Sequence, residues 1–326
     1  MALEIEGLVK HFGAVRALDG VTFEVAEGTV FGLIGPNGAG KTTTMRAILR
    51  ILEPDGGSIR WKGRPIEEVP PARFGYLPEE RGLYPRMRVR DELAFFGELR
   101  GLSGKALRQA IDTFVELLHM QDIIERKVDD LSKGNAQKVQ FAAACLHDPE
   151  LLVLDEPFSG LDPVNVRLFM RAFRHMRERG ATILFSSHRM EHVEQLCDAL
   201  ALIARGRVLV TGAVEEVRRR TGRRVLRLAW ETPGDGAGRV PAGDELARWL
   251  EELARRDLTV RHRPQGVVEV AWQDGAPERE ALADELVGQA SRLGRLRLFE
   301  LTYPSLESVY VETVGAEAVA GEEEAR

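Results

Sequence analysis

The segment Gly35-Pro36-Asn37-Gly38-Ala39-Gly40-Lys41-Thr42 matches the phosphate-binding pattern G-x-x-x-x-G-K-[ST]. An apolar run, Val30 to Ile34, comes directly before it, and the residues after Lys41 are compatible with a helix. In a strand–loop–helix unit of this kind, glycines let backbone N–H groups and a helix N-terminus surround phosphate oxygens. We therefore predict that Gly35 to Thr43 bind a nucleoside triphosphate, with Lys41 at its β- and γ-phosphates and the Thr42 hydroxyl on Mg²⁺.

Two further apolar runs, Leu151-Leu152-Val153-Leu154 and Thr182-Ile183-Leu184-Phe185, lack polar alternation. This pattern is typical of parallel strands that are buried on both faces of a sheet. Between residues 86 and 147 the apolar period becomes helical, which indicates a helical subdomain inserted into an α/β core. We predict that the core and its insertion form one domain over residues 1–220.

After residue 220 the pattern changes, and we predict a small C-terminal α+β domain over residues 221–326. Its elements follow the order strand, helix, strand, strand, helix, strand, which is that of a ferredoxin-like split unit. The two helices are expected over Asp244–Arg256 and Glu278–Leu293. Because this region has no recognisable catalytic cluster, we expect a regulatory or dimer-stabilising role, with a plain structural role as the alternative.

Asp155 and Glu156 directly follow the apolar run Leu151 to Leu154, and His188 comes shortly after the run Thr182 to Phe185. Open α/β sheets bind their ligands at the carboxyl ends of the strands, where these side chains would meet. There we expect Asp155 to hold Mg²⁺ and Glu156 to polarise the water that attacks the γ-phosphate. His188 is expected to contact the γ-phosphate and orient that water. An isolated acid pair or histidine is more often structural, and the upstream phosphate loop is what favours catalysis.

A second anion-binding helix start is predicted at Leu131-Ser132-Lys133-Gly134-Asn135. Ser132, Gly134 and Asn135 stand where a helix running to Leu146 begins, and a helix N-terminus attracts phosphate. If the phosphate loop of the same chain already holds the phosphates, this end has none to bind within its own subunit. We therefore expect it to face the nucleotide of another copy, with an ordinary serine-capped helix as the alternative.

Composition narrows the class of protein. Hydrophobic residues make up 44% and charged residues 29% of the 326, as in ordinary globular proteins, and the formal net charge of −6 argues against a nucleic-acid partner. No apolar run reaches the roughly 18 residues of a membrane span, and the N-terminus lacks the apolar core of a signal peptide. Cys145 and Cys197 lie in apolar surroundings without metal-ligand spacing, which favours free thiols in a reducing cytoplasm.

In their order and spacing these motifs resemble the nucleotide-binding subunit of an ABC transporter, over roughly Leu3 to Val217. The resemblance implies a P-loop NTPase cassette with ATPase activity, in which two copies arranged head to tail enclose two ATP molecules between phosphate loop and signature. It also implies that Phe12 stacks on adenine. Ser159-Gly160-Leu161-Asp162 matches the loop that communicates across such a dimer.

The sequence departs from the family pattern at three places. The signature of this family usually reads LSGGQ, and here Lys133 and Asn135 replace Gly and Gln. Gly75 to Glu79 matches a segment that normally ends in Gln, which contacts Mg²⁺ and abuts the membrane subunit; Glu79 still offers an oxygen to Mg²⁺. The region after Gly222 is absent from the minimal cassette.

Taken together, the segment Gly75 to Pro85, this signature and the closing Leu301 to Glu307 resemble those of a bacterial export group, the sodium- or drug-efflux ATPases that pair with separate ABC-2-type permeases. The resemblance implies an exporter subunit that works on an integral membrane permease from the cytoplasmic face of the cell membrane. One alternative is a soluble cassette ATPase acting on nucleic acid or ribosomes, although such proteins carry two cassettes or a long coiled coil before the signature. The other is a non-hydrolysing nucleotide switch, against which Glu156 and His188 argue.

Overall fold

A computed structural model of the chain describes residues 1–80, 82–231, 241, 243–256, 258–263, 266–273 and 281–324, the side chains of 316–324 excepted. The chain divides into two compact units, Met1–Val214 and Glu215–Arg326. The strands of the first unit are β1 (Leu3–Phe12), β2 (Val15–Val25), β3 (Val30–Ile34), β4 (Gly56–Trp61), β5 (Arg64–Pro65), β6 (Phe74–Leu77), β7 (Leu151–Leu154), β8 (Thr182–Ser187), β9 (Ala199–Ala204) and β10 (Arg207–Ala213).

Six of these strands form a sheet in the order β10-β9-β3-β8-β7-β6. Neighbours run parallel except for β10, which is antiparallel to β9. Every residue of β3, β7 and β8 is buried, as expected for central strands of a parallel sheet that is covered on both faces. The parallel strands expected from the three apolar runs are thereby confirmed, and they lie side by side.

The remaining strands form a second, antiparallel sheet in the order β2-β1-β4-β5. It shares one hydrophobic core with the parallel sheet. Phe23 stacks on Phe31 with ring centroids 5.2 Å apart, and Trp61 meets Phe74 edge to face at 6.3 Å. These aromatic contacts pack the antiparallel sheet against the parallel sheet.

The described residues of the first unit contain six complete α-helices, and a seventh begins at its last residue. They are α1 (Lys41–Ile48), α2 (Val89–Leu99), α3 (Gly104–Leu117), α4 (Lys133–Cys145), α5 (Pro163–Glu178), α6 (Met190–Leu196) and α7 (Val214–Arg219). Between β6 and β7 lie α2, α3 and α4 together with a short 3₁₀ helix, Val128–Asp130. On α3 the predicted apolar stripe is buried at Leu107, Ile111 and Phe114. The helical segment thus falls where its period placed it.

The second unit contains β11 (Arg223–Trp230), α8 (Gly243–Arg255), β12 (Thr259–Arg263), β13 (Val267–Gln273), α9 (Leu282–Leu293), β14 (Leu296–Thr302) and α10 (Leu306–Glu324). Its four strands form an antiparallel sheet in the order β12-β13-β11-β14. The element order up to β14 is the predicted strand-helix-strand-strand-helix-strand. The expected start of the second helix at Glu278 lies outside the described residues.

One face of this sheet is covered by α8 and α9, which form a core of its own around Trp230, Trp249 and Trp272. The indole N–H of Trp230 donates to the carbonyl of Ala290 at 3.0 Å, so a large apolar ring is buried without an unsatisfied donor. Among the residues that the structure describes, no helix combines the length and apolar character needed to cross a bilayer.

Candidate functional site

The phosphate loop joins β3 to α1 and is fixed by close backbone contacts. Gly40 has φ +107° and Gly38 has φ +79°, conformations that glycine adopts without strain. At Gly35 a Cβ atom would lie 2.1 Å from the carbonyl oxygen of Ile203 on β9, so only glycine fits there. The loop therefore leads directly into the N-terminus of α1, a position where backbone N–H groups can bind an anion.

Lys41, the first residue of α1, is folded back into this loop. Its ammonium donates to the carbonyl oxygens of Gly35 at 2.8 Å and Pro36 at 3.1 Å, and only 6% of the residue is exposed. Burial lowers the pKa of Lys41, and the nearby carboxylates of Glu156 and Asp155 oppose that shift. A buried cation beside a glycine loop is suited to bind phosphate.

Asp155 lies at the end of β7 and connects two hydroxyl groups. Thr42 Oγ1 donates to Asp155 Oδ2 at 2.7 Å, and Ser186 Oγ on β8 donates to Asp155 Oδ1 at 2.6 Å. These hydroxyl and carboxylate oxygens are hard donors of the type that Mg²⁺ prefers. Among the described residues, no cluster of three His, Cys, Asp or Glu side chains could hold a metal by itself. The donors present therefore fit an Mg²⁺ that also takes oxygens from a phosphate ligand.

Glu156 is held in an unusual conformation next to Lys41. Its φ is +47°, its side chain is buried, and its N–H donates to Ser186 Oγ at 2.8 Å. Oε2 lies 2.9 Å from His188 Nδ1, whereas the buried Oε1 has no hydrogen-bond partner among the described residues and lies 4.0 Å from the Lys41 ammonium. A strained backbone and an unsatisfied buried oxygen mark this carboxylate as a group poised for a ligand.

These groups surround a cleft of about 350 Å³. It is lined by Ala17, Asn37, Gly38, Ala39, Gly40, Lys41, Thr42, Thr43, Glu79, Asp155 and Glu156. The structure thus brings most of the predicted phosphate and metal residues together, including Glu79. Gly35 and Pro36 bound the loop from behind, and His188 reaches the site through Glu156.

Phe12 does not line this cleft. It ends β1, its side chain is 51% exposed, and the Lys10 ammonium lies 5.8 Å from its ring centroid. The hairpin that it begins continues into β2, where Ala17 does line the cleft. An exposed aromatic ring on that hairpin is available to stack, so adenine binding stays a prediction.

The signature residues also lie outside the cleft, at the start of α4. Ser132 caps the helix by accepting from the N–H of Asn135 at 3.3 Å, as its N-cap position predicts. A Cβ atom at Gly134 would lie 3.3 Å from Asn165 Nδ2 on α5, so this helix start packs against the segment after Glu156. The chain's own phosphate loop and its own signature form two separate surfaces.

Three side chains that the sequence did not single out make hydrogen bonds to the acids of the cleft or to the segments that flank it. Ser186 joins Asp155 to Glu156, as described above. On α4, Gln137 Nε2 donates to Pro157 O at 3.3 Å, and Gln140 Nε2 donates to Pro78 O at 3.2 Å and Glu80 O at 3.1 Å. The sequence signal for these residues was only their position, on a buried strand or on a helix after the signature.

Comparisons with known proteins agree with this geometry. Residues 18–159 match the sequence profile of the ABC transporter family. The uncharacterized ABC transporter ATP-binding protein YhaQ of Bacillus subtilis (strain 168) is 40% identical over 314 residues, which cover 96% of this chain and 99% of that protein. Nod factor export ATP-binding protein I of Rhizobium sp. (strain N33) is 31% identical over 97% of this chain and 98% of that protein.

A solved structure gives the same result. An ATP-binding subunit of an ABC transporter, 32% identical, superposes with a TM-score of 0.64 over 68% of this chain and 94% of that chain. The similarity to YhaQ extends over nearly the whole length of both proteins. This chain therefore belongs to the family of ABC transporter ATP-binding proteins.

Proposed function

We propose that this chain is the ATP-hydrolysing subunit of an exporter, and that two copies close around two ATP molecules to drive a separate membrane permease. The observation that carries the proposal is the hydrogen-bonded chain Thr42–Asp155–Ser186–Glu156–His188 beside the phosphate loop. In the proposal, Asp155 is the metal-binding acid and Glu156 is the base, and this hydrogen-bonded chain supports both roles because the two acids line the same cleft. A site that only bound nucleotide would not need the second acid.

In this proposal each residue has a separate task. The N–H groups of the loop and the Lys41 ammonium bind the β- and γ-phosphates, and Phe12 stacks on adenine. Thr42, Asp155 and Glu79 would hold Mg²⁺, which neutralises phosphate charge when bound. Glu156 accepts a proton from the attacking water while the bond to the leaving ADP oxygen breaks, and His188 holds the Glu156 carboxylate through Oε2.

The second copy is needed because the Ser132 helix start does not reach the cleft of its own chain. Placed over the ATP of a partner, Ser132, Gly134 and Asn135 would cap the γ-phosphate with a helix N-terminus. Hydrolysis would remove that phosphate and weaken the contact, so the two copies would separate. ATP binding would thus bring the two copies together, and hydrolysis would let them move apart.

Support for a permease partner comes from an exposed aromatic pair at and just before α2, in the segment between β6 and β7. Tyr84 and Phe95 are 51% and 39% exposed, and their rings meet edge to face at 5.5 Å. The Gln140 bonds to Pro78 and Glu80 offer a path from this segment to Glu79. Export is proposed from the relatives that are named Nod factor export ATP-binding protein I. The ABC-2 type of the permease, and its contact with this chain at the cytoplasmic face of the membrane, are part of the same proposal and follow from the resemblance of the sequence motifs.

The test is Glu156→Gln, which removes the base and keeps the shape. We expect ATP binding to persist, hydrolysis to fall about 10²–10⁴-fold, and an ATP-dependent dimer to accumulate in analytical ultracentrifugation. Glu116→Gln, an exposed acid on α3, is the matched control and is expected to hydrolyse normally. Unchanged turnover in Glu156→Gln would remove Glu156 from this role. Stimulation of the ATPase by a co-purified membrane protein encoded beside the chain would test the permease pairing.

A further inference from the structure

Helix α6 begins shortly after His188 and carries a second histidine, His192, on its buried face. His192 is 5% exposed and is buried together with Val193 and Leu196. The His188 side chain, in contrast, is 56% exposed, and its Nδ1 atom lies 2.9 Å from Glu156 Oε2. Because so little of the His188 ring is packed, its position depends on where α6 is held.

The far end of α6 is held against β3, the strand that leads into the phosphate loop. A Cβ atom at Gly32 on β3 would lie 2.9 Å from Cys197 Sγ and 3.0 Å from Val193 Cγ1. Glycine at this place therefore lets α6 and the residue after it lie directly on the strand. The first turn of α6, which is nearest to His188, is held by a different contact.

His192 supplies that contact by packing on the segment that follows Glu156. The centroid of its ring lies 4.5 Å from that of Phe158, with 46° between the two ring planes. Phe158 also stacks on Phe173 of α5 at 5.3 Å and meets Phe185 of β8 edge to face at 5.8 Å. The domain core thus fixes the Phe158 ring, and His192 attaches the first turn of α6 to it.

The His192 ring packs as an uncharged group at neutral pH. Burial lowers the pKa of His192 most, the charge of Arg189 lowers it further, and Glu191 acts in the opposite direction. The buried Nδ1 atom of His192 has no hydrogen-bond partner among the described residues. This position therefore needs a planar ring and not a charge, and phenylalanine can supply such a ring as well.

We propose that His192 is a positioning residue for hydrolysis, which holds His188 in place against Glu156 through its contact with Phe158. This inference rests on the proposed role of Glu156 as the base. A small misplacement of a reacting group can slow a reaction strongly while the substrate still binds. Lys41 is held by carbonyl groups of its own loop, so loss of the His192 contact should change kcat more than KM for ATP.

The experiment compares two His192 variants in the full chain. His192→Ala removes the ring, and His192→Phe puts another ring on Phe158. Leu196→Ala, one turn further along the buried face of the same helix, is the matched control for loss of a packed side chain. For each variant, kcat and KM for ATP are measured in steady-state assays, and the urea midpoint is measured to check folding. His192→Ala is also combined with Glu156→Gln.

We expect His192→Ala to lower kcat about tenfold with KM for ATP close to that of the parent, and His192→Phe to restore kcat to within about twofold. Leu196→Ala should lower the urea midpoint and leave kcat nearly unchanged. His192 would be no more than a packed core residue if Leu196→Ala lost as much kcat as His192→Ala, or if His192→Phe was as slow as His192→Ala.

The Glu156→Gln chain distinguishes an effect through Glu156 from a general one. If His192 acts through Glu156, His192→Ala should leave the residual hydrolysis of Glu156→Gln unchanged. A further loss of about tenfold in that chain would overturn the role of His192, and Glu156 would remain the base. Normal hydrolysis by Glu156→Gln alone would instead overturn the proposed base, and the role of His192 would fail with it.

Discussion

Ser186 fixes the positions of both acids in the cleft. Its hydroxyl donates to Asp155 Oδ1 at 2.6 Å and accepts from the N–H of Glu156 at 2.8 Å, in a fully buried place on β8. The left-handed backbone of Glu156 costs free energy unless its surroundings enforce it. The bond to Ser186 is one of the contacts that enforce it, so we assign Ser186 as a positioning residue.

Ser186→Ala should therefore separate positioning from binding. The change leaves the buried N–H of Glu156 without an acceptor, which should lower the free energy of unfolding by about 1–3 kcal/mol. A displaced Glu156 should reduce kcat by roughly 10–100-fold. KM for ATP should change less, because the Lys41 contacts to the phosphate loop remain. Steady-state ATPase assays and urea titrations measure the two effects.

Ser187→Ala is the matched control for this prediction. The Ser187 hydroxyl bonds to the backbone of Arg189, accepting from its N–H at 3.0 Å. It is the next residue on the same strand, and we expect nearly normal kcat after its loss. Equal kcat values in the two variants would show that Ser186 does not position Glu156.

At the scale of elements, the sequence predicted which segments form buried strands, but it did not predict which strands lie next to each other. The runs at β3, β7 and β8 are apolar throughout, so their burial could be read from composition alone. The link from Ser186 to Glu156 depends on β8 lying next to β7, and nothing in either run specifies that neighbour. The same limit applies to Gln140, whose partners lie on a distant segment.

The antiparallel sheet of the first unit was not predicted either, and the reason is different. The pairing of β1 with β2 is interrupted by register shifts between Ile5 and Leu8 and again between Lys10 and His11. Each shift changes which face a side chain occupies, so the simple alternation that reveals a strand is lost. This sheet could therefore not be predicted, although it carries Phe12 and Ala17.

In the second unit, one carboxylate ties three strands together. Glu269 on β13 is nearly buried and accepts from Arg227 Nε on β11 at 2.9 Å and from Arg263 Nε on β12 at 2.7 Å. Burial by itself would raise the pKa of Glu269, but the hydrogen bonds from Arg263 and Arg227 outweigh it and lower the pKa. Glu269 thus has a lower pKa in the folded than in the unfolded chain.

This shift predicts how stability depends on pH. A carboxyl group whose pKa is lowered by folding contributes stability above its ordinary value of 4.5, and that contribution is lost as pH falls through the folded value. We expect Glu269→Gln to destabilise the second unit at neutral pH and to flatten its acid-induced loss of stability. Urea titrations monitored by tryptophan fluorescence at several pH values measure this.

Glu251→Gln, an exposed acid on α8, is the control for removal of one titrating carboxyl group. Its pH profile should follow that of the parent chain. If Glu269→Gln also retained the parent's acid limb, the Arg227 and Arg263 contacts would not be the source of that stability.

At the scale of the whole molecule, the two units have separate hydrophobic cores. One core joins the two sheets of the first unit and includes Leu33, and the other surrounds the tryptophans of the second unit and includes Leu253. The units meet in sequence between Val214 and Glu215, inside α7, whereas the change of pattern in the sequence placed the boundary after residue 220. The two boundaries differ because the sequence pattern changes where the strands resume, at β11, whereas the packing already changes at the start of α7.

Separate cores predict two thermal transitions, which calorimetry can assign by perturbing one unit at a time. Leu253→Ala removes a fully buried side chain and should cost about 2–5 kcal/mol, lowering only the transition of the second unit. Leu33→Ala should lower only the other transition. Mg-ADP binds the cleft of the first unit in our proposal, and at a hundredfold excess over its Kd it should add about 2.7 kcal/mol to that unit alone. ADP is the right ligand here because it avoids both turnover and closure of a dimer. A single transition that moved with both variants and with ADP would mean that the two cores unfold together, and the second unit would then be part of the cassette's cooperative structure.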